Sequence, residues 1–383
     1  MRQRVRSRGW KRMWWALVPA AASVAAPGAE RGQAPPPCEL GLVRPGDGFR
    51  GPRNMYPTAA VLPDGRLLLV WSSGMKVVGS WSHDQGRNWS AEEPLIDVPG
   101  HLSADPTIVV TRNVVQVHST TVPVPRQTVL TSDVYVTEQK LAGGSWSRLR
   151  RVPGHHRYQV GMIHAGLTLP DGTLVKPYSW DVPAEEGRPF AGEGKMYLRS
   201  GALLSRDNGV TWSPGADISA DPPRTSDFST GGVCEPSMVL LESGDLYCLL
   251  RTADLRHWET RSRDGGRTWD RPLRSALAGH NTPAALCRVP GSREVIVVWN
   301  NSPRNRWPLD VALSSDGCRT WTRPRTLANP VGVQASYPTA AACPDGTLVA
   351  VWQQDRPDRS GRDLLIARFN RAWLTQRDPP EPR

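Results

Sequence analysis

One eight-residue pattern, repeated four times, limits what this chain can become more than any other feature. The copies are Ser82-His-Asp84-Gln-Gly86-Arg-Asn-Trp89, Ser205-Arg-Asp207-Asn-Gly209-Val-Thr-Trp212, Ser262-Arg-Asp264-Gly-Gly266-Arg-Thr-Trp269 and Ser314-Ser-Asp316-Gly-Cys318-Arg-Thr-Trp321. Ser and Asp side chains close a turn on nearby backbone N–H groups, and Gly supplies a left-handed residue. The Trp anchors the resulting hairpin on a sheet. In the fourth copy Cys318 stands where the others have Gly. That loop is expected to be strained or rearranged.

A second punctuation mark recurs at Pro63-Asp64-Gly65, Pro170-Asp171-Gly172, Ser243-Gly244, Pro290-Gly291 and Pro344-Asp345-Gly346. Each lies between short runs rich in β-formers, such as Leu67 to Trp71 and Val295 to Trp299. The eight-residue copies start at 82, 205, 262 and 314, so the first interval holds two units and the others one each. The hidden unit spans roughly 100–153, with Gly143-Gly144-Ser-Trp146 as a degenerate copy, and a last unit from about 333 to 374 lacks the pattern. With 35 Gly, 36 Pro and no long apolar segment of helical period after residue 30, the chain reads as all-β. The expectation is a six-bladed β-propeller of four-stranded antiparallel blades, one domain over residues 30–383.

The N-terminus has another character. Arg2, Arg4, Arg6, Arg8, Lys11 and Arg12 precede an apolar stretch, Met13 to Ala26, that ends in small residues. This predicts a secretory signal peptide over residues 1–29, cleaved after Ala25 or near Ala29, and a secreted or periplasmic protein with no membrane insertion after cleavage. Without those six basic residues the formal net charge falls from +11 to +5. The remaining arginines are scattered, so no nucleic-acid partner is expected, while the mild excess favours an acidic one. Six cysteines, at 38, 234, 248, 287, 318 and 343, would permit disulfides after export. No Cys-x-x-Cys or His-x-x-x-His spacing occurs, so neither a metal site nor a redox motif is expected.

The repeat also sets a register. Tyr56 lies eight residues before Asp64, Tyr337 eight before Asp345, and Glu235 eight before Ser243. Tyr56-Pro-Thr-Ala-Ala and Tyr337-Pro-Thr-Ala-Ala are identical, Glu235-Pro-Ser is their counterpart, and Asp105-Pro-Thr takes the equivalent place in the second unit. In the third unit His164 falls near this position, and in the fifth Asn281 and Thr282 do. Proline is tolerated at the first residue of a strand, so these polar side chains belong at strand entrances where six blades converge. A ring of convergent polar groups in a concave mouth is a binding site by default.

The Ser-x-Asp-x-Gly-x-x-Trp motif resembles the Asp box of sialidases and their relatives, and the resemblance covers nearly the whole chain after residue 29. Glu235-Pro-Ser-Met-Val-Leu-Leu-Glu-Ser-Gly-Asp-Leu-Tyr-Cys-Leu-Leu-Arg251 is similar to the family's fourth blade, and Asn300 to Ser314 is similar to the segment carrying another family arginine, here Arg306. The resemblance implies that Arg53, Arg251 and Arg306 clamp a sugar carboxylate. It further implies that Tyr337 attacks the anomeric centre while Glu235 takes the phenolic proton. Two departures stand out. Met55 occupies the place of the family's first arginine, with Arg53 two residues earlier. The loop Ser72 to Gly79 has no carboxylate where the family keeps its acid/base aspartate, and Asp105 is the nearest substitute on the ring. The expected activity is a retaining exo-glycosidase on sialic acid or a related acidic sugar, without cofactor, with Tyr56, His164 and Asn281 completing the pocket. A propeller that binds acidic glycans without cleaving them, or a glycosidase or lyase for uronate-containing polysaccharide, are the alternatives.

Overall fold

The computed structural model describes residues 38–46, 54–225 and 230–376. The predicted signal peptide and Arg53 lie outside the described residues. Six sheets form a ring, a six-bladed β-propeller of four-stranded antiparallel blades, to the third of which Gly231–Gly232 adds a short parallel pairing with Tyr197–Ser205. The first blade runs over 55–96, the second over 101–152, the third over 159–214, the fourth over 234–278 and the fifth over 285–328. The sixth takes three strands from 335–369. Its fourth strand is Glu39–Arg44, which pairs antiparallel with Arg362–Phe369 and so closes the ring with the start of the described chain. This is why the last unit carries no eight-residue pattern: no hairpin leads to its outer strand.

The core lies between blades. Strand Leu67–Ser73 is apolar at successive positions, and period-2 geometry sends alternate residues to opposite faces. Leu67, Leu69 and Trp71 pack against blade six residues Val349, Val351 and Ile366, while Leu68 and Val70 pack against Ile108, Val115 and Val117 of blade two. Among the described residues, six such clusters each join two neighbouring blades. A continuous apolar run is what a strand buried on both faces requires, and each fully buried large side chain contributes about 1.5–3 kcal/mol.

All four eight-residue loops close as their chemistry predicts. Ser82, Ser205, Ser262 and Ser314 each donate from Oγ to the Asp two residues on, at 2.8–2.9 Å, and each accepts the N–H four residues on, at 2.8–2.9 Å. Cys318 adopts φ 63° and keeps the same hydrogen bonds as the glycines. Of the two expected outcomes the loop is therefore strained and not rearranged: it holds a left-handed cysteine whose side chain packs with Leu241 and Tyr247. All six cysteines are free thiols.

Candidate functional site

The innermost strands carry a feature that sequence did not reveal. Tyr56, Asp105, Glu235, Asn281 and Tyr337 all have positive φ, between 47° and 56°. Such a conformation costs on the order of 1–3 kcal/mol for a non-glycine residue and persists only where its surroundings fix it. The X-Pro-Thr/Ser motif shows how they do so. In blades one, two, four and six the ladder breaks register across the ring residue and its proline, between Met55 and Thr58, Ala104 and Thr107, Cys234 and Ser237, and Ser336 and Thr339. Proline has no N–H to lose, and the hydroxyl that follows ties the strand to the next blade. Thr58 Oγ1 reaches Pro106 O at 2.7 Å, Thr107 donates to His164 O, Ser237 Oγ accepts Leu286 N at 3.0 Å, and Thr339 Oγ1 accepts Ala59 N at 3.0 Å.

The ring residue's own N–H turns to the preceding blade. Tyr56 N donates to Gln353 Oε1 at 2.9 Å, Glu235 N to Ser179 Oγ at 3.0 Å, and Gly161 N to Asp105 Oδ2 at 2.8 Å. Gly161, at φ 68°, is thus the ring residue of the third blade, and this corrects the assignment of His164. His164 lies three residues further along the channel wall, buried, beside a cavity of ≈ 370 Å³ lined by small apolar side chains such as Ala59, Ala165, Ala285 and Ala340. Burial pushes its imidazole down to about 3, so it carries no charge at neutral pH. Asn281 holds the ring position of the fifth blade, as the register argument expected.

At the channel mouth the side chains of blades one, four, five and six meet. Arg251 ends strand Leu246–Arg251, and its Nη1 donates to both Glu235 oxygens at 2.8 Å and to the Tyr337 hydroxyl at 3.0 Å. The Tyr337 hydroxyl in turn lies 3.4 Å from Glu235 Oε1. Arg251 Nε donates to Asn281 Oδ1 at 3.0 Å, while Arg306 Nη2 donates to Asn281 O at 2.7 Å. One residue therefore braces both guanidinium groups, and Arg306 lies 5.6 Å from the centre of the Tyr337 ring. Tyr56 meets Tyr337 edge-on, with ring centroids 4.7 Å apart.

The pair is largely shielded, with side-chain exposures of 10% for Arg251 and 12% for Glu235. Burial opposes the Arg251 charge, but the Glu235 carboxylate and Tyr337 outweigh it and hold the guanidinium protonated. Burial raises the Tyr337 phenol above its ordinary range, and the negative charge of Glu235 raises it further. A phenol so placed is protonated near neutral pH and attacks only if a base removes its proton. Glu235 is in reach to do so.

Asp105 differs in its surroundings. Burial pushes its carboxyl up to about 6, the Gly161 amide pulls the other way, and the charge of Glu235 adds to the rise. A carboxylic acid protonated in mildly acidic solution can donate a proton, although one of its oxygens already caps Gly161 N. The hairpin between Leu67–Ser73 and Lys76–Ser82 carries no carboxylate at its turn, Gly74-Met75, and donates no acid to the mouth. Among the described residues no group of three or more His, Cys, Asp or Glu could hold a metal ion.

Sequence reasoning missed the residues behind the ring. Gln334 Oε1 accepts from Arg306 Nη1 at 3.3 Å, while its Nε2 donates to Asp355 at 2.9 Å. Gln353, Ser179 and Gln334 lie away from the repeated motif and carry no local signal.

Residues 76–350 match the BNR repeat-like domain. A search of curated proteins finds no match. Among solved structures, the Hadza microbial sialidase Hz136 is similar with a TM-score of 0.68 and 16% identity over 86% of this chain and 68% of that one. Trypanosoma rangeli sialidase in complex with the inhibitor DANA gives 0.66 and 14% over 88% of this chain and 60% of that one. A protein of unknown function from Dyadobacter fermentans gives 0.66 and 16% over 87% of this chain and 99% of that one. The propeller thus spans less than two thirds of the T. rangeli enzyme, and at these identities the likeness is one of fold.

Proposed function

The chain belongs to the BNR repeat-like domain family, and from that membership and the channel-mouth geometry we propose that it is a retaining exo-glycosidase that removes a terminal sialic acid or a related acidic sugar from glycans. The observation that carries this reading is the placement of the Tyr337 hydroxyl between Arg251 Nη1, at 3.0 Å, and Glu235 Oε1, at 3.4 Å. A phenol hydrogen-bonded to a carboxylate base has the arrangement of an activated nucleophile, and sialidases are glycosidases that use tyrosine in this role. Arg251 and Arg306, both braced on Asn281, supply the forked donors that suit a sugar carboxylate. Substrate binding draws Arg251 partly away from Glu235, which frees the carboxylate to take the phenolic proton. Asp105, protonated below about 6, donates the proton that the leaving group needs.

The structural neighbours support the same substrate class. T. rangeli sialidase is known in complex with sialic acid and as a covalent intermediate with 2,3-difluorosialic acid. The basic, apolar N-terminus supports action on glycans outside the cytoplasm.

One observation favours a second reading, in which the mouth binds an acidic glycan and does not cleave it. Asp105 does for Gly161 what Gln353 does for Tyr56 and Ser179 for Glu235, so its carboxylate has a structural use and the hairpin after strand Leu67–Ser73 offers no replacement acid. The two readings separate when purified protein lacking residues 1–29 is offered a fluorogenic sialoside and a panel of acidic glycans. Release of the fluorophore supports the enzyme. Saturable binding to the glycans without any release overturns it in favour of the binder.

A further inference from the structure

Glu235 is useful as a base only where its carboxylate meets Tyr337, and its left-handed backbone, φ 47°, determines that place. The register break between Cys234 and Ser237 removes Glu235 from the strand ladder, so its N–H must find a partner outside its own blade. It finds Ser179 Oγ at 3.0 Å. Ser179 Oγ lies 3.0 Å from Ser200 Oγ, and Ser200 Oγ lies 3.0 Å from Val233 O. Both serines are completely buried, on adjacent strands of blade three.

The direction of every proton in this chain is forced. A carbonyl only accepts, so Ser200 donates to Val233; a backbone amide only donates, so Ser179 accepts from Glu235. Each hydroxyl has one proton, and the Ser179 proton therefore goes to Ser200. The relay, Glu235 N to Ser179 to Ser200 to Val233 O, clamps the chain on both sides of Cys234 from a neighbouring blade. Gly161 belongs to the same device, because an ideal Cβ there would lie 3.1 Å from Ser179 Oγ and 3.4 Å from Glu235 Cγ. A side chain at that ring position would crowd Ser179 and touch the Glu235 side chain.

We propose that Ser179 and Ser200 are positioning residues for Glu235: a buried two-hydroxyl relay fixes the left-handed conformation at 235 and so sets the distance between the base and the Tyr337 hydroxyl. The proposal rests on the reading of Glu235 as the base that activates Tyr337. Removing either hydroxyl leaves a buried donor or acceptor unmatched, and the strained backbone relaxes toward negative φ. The carboxylate then moves relative to a tyrosine that arrives from blade six and does not follow it. A displacement on the order of 1 Å in a reacting group lowers turnover about 100-fold.

The experiment compares wild type, Ser179→Ala, Ser200→Ala, Ser200→Thr and Glu235→Gln on a fluorogenic sialoside, with kcat and KM separated and pH profiles recorded, and solves the Ser179→Ala crystal structure. The expected result is a kcat 10- to 100-fold lower in both alanine variants with KM little changed, a displaced acidic limb in the pH profile, recovery in Ser200→Thr, and a changed φ at Glu235. If Glu235→Gln abolishes turnover while the alanine variants lose only thermal stability, with kcat and pH profile as in wild type, the relay is not a positioning device although the base is correctly assigned. Full turnover in Glu235→Gln overturns the base and the relay together. Should the protein not cleave the sialoside, the crystal structure alone decides: φ near 47° and an intact Arg251 contact in Ser179→Ala overturn the relay.

Discussion

The Tyr337 hydroxyl and Glu235 Oε1 lie 3.4 Å apart, although 102 residues separate them in sequence. They come from the entrances of two innermost strands, in blades four and six, and they meet because both residues occupy the same left-handed position of their blade. Glu235→Gln keeps the shape of the side chain and removes the carboxylate that the proposed function uses as base. General-base catalysis contributes typically 10²–10⁴-fold, so under that proposal kcat should fall by about that factor. Steady-state kinetics on the cleaved sialoside measures it, and a variant within twofold of wild type would remove Glu235 from the reaction.

Under the proposed function Arg251 has two tasks, and two measurements on one variant separate them. If Arg251 grips a sugar carboxylate, Arg251→Ala should weaken binding of an acidic sugar by ~1.5–3 kcal/mol, the scale of a charged hydrogen bond. It also strands Glu235, whose exposure is 12%, and loss of one partner of a shielded ion pair costs about 3–5 kcal/mol of stability. Calorimetric titration with the free acidic sugar and a melting curve report the two effects. Unchanged affinity would reject the clamp.

Asp105 gives the site a pH signature. Its folded-state carboxyl titrates at about 6 against an ordinary value of 3.8, so the folded protein holds the proton more tightly than the unfolded chain. Stability from this group is therefore present at low pH and is lost as pH rises between those two values; the difference amounts to at most ~3 kcal/mol. Asp105→Asn keeps an acceptor for Gly161 N and removes the charge. It should be at least as stable as wild type at pH 8 in thermal denaturation, and it should lose turnover if Asp105 is the acid. A variant that cleaves normally would return the acid role to another group.

Lys176 predicts the opposite trend. It is buried, 3.1 Å from His118 Nδ1 and 4.5 Å from the Trp212 ring, and burial pushes its amine down to about 7. The unfolded chain binds that proton up to the ordinary value of 10.5, so stability from this group rises with pH between 7 and 10.5. Lys176→Met should melt at a higher temperature than wild type at pH 7, with the difference shrinking toward pH 10. A constant difference across that range would show that Lys176 does not titrate there.

The fold was legible because its signals are local. A turn closed by Ser82 and Asp84, or by Ser314 and Asp316, is written within five residues, and spacing alone counts the blades. The closure of blade six by Glu39–Arg44 was not legible, since pairing across more than 300 residues leaves no trace in a repeat. In the site, equal spacing from the Pro-Asp-Gly turns marks Tyr56 and Tyr337, the same spacing from Ser243-Gly244 marks Glu235, and the shared X-Pro-Thr/Ser sequence adds Asp105. The third blade lacks that sequence. Its ring residue is Gly161, whose signal is its tolerance of positive φ, while the polar residue near the expected position, His164, lies three residues further along. Ser179, Ser200 and Gln353 act on the ring from second and third strands, and Gln334 from the segment just before strand Ala335–Ala342, where burial and partner geometry decide their role and composition does not.

The proposed retaining reaction requires Tyr337 to become covalently bonded to the sugar, a bond that a slow fluorinated substrate would trap. The protein is incubated with 2,3-difluorosialic acid, or with the corresponding fluorinated analogue of whichever acidic glycoside it cleaves, and intact mass and peptide mapping follow. One added glycosyl group is expected, carried by the peptide that contains Tyr337 and absent from Tyr337→Phe. Cleavage of the substrate with no adduct, together with undiminished turnover in Tyr337→Phe, would contradict it.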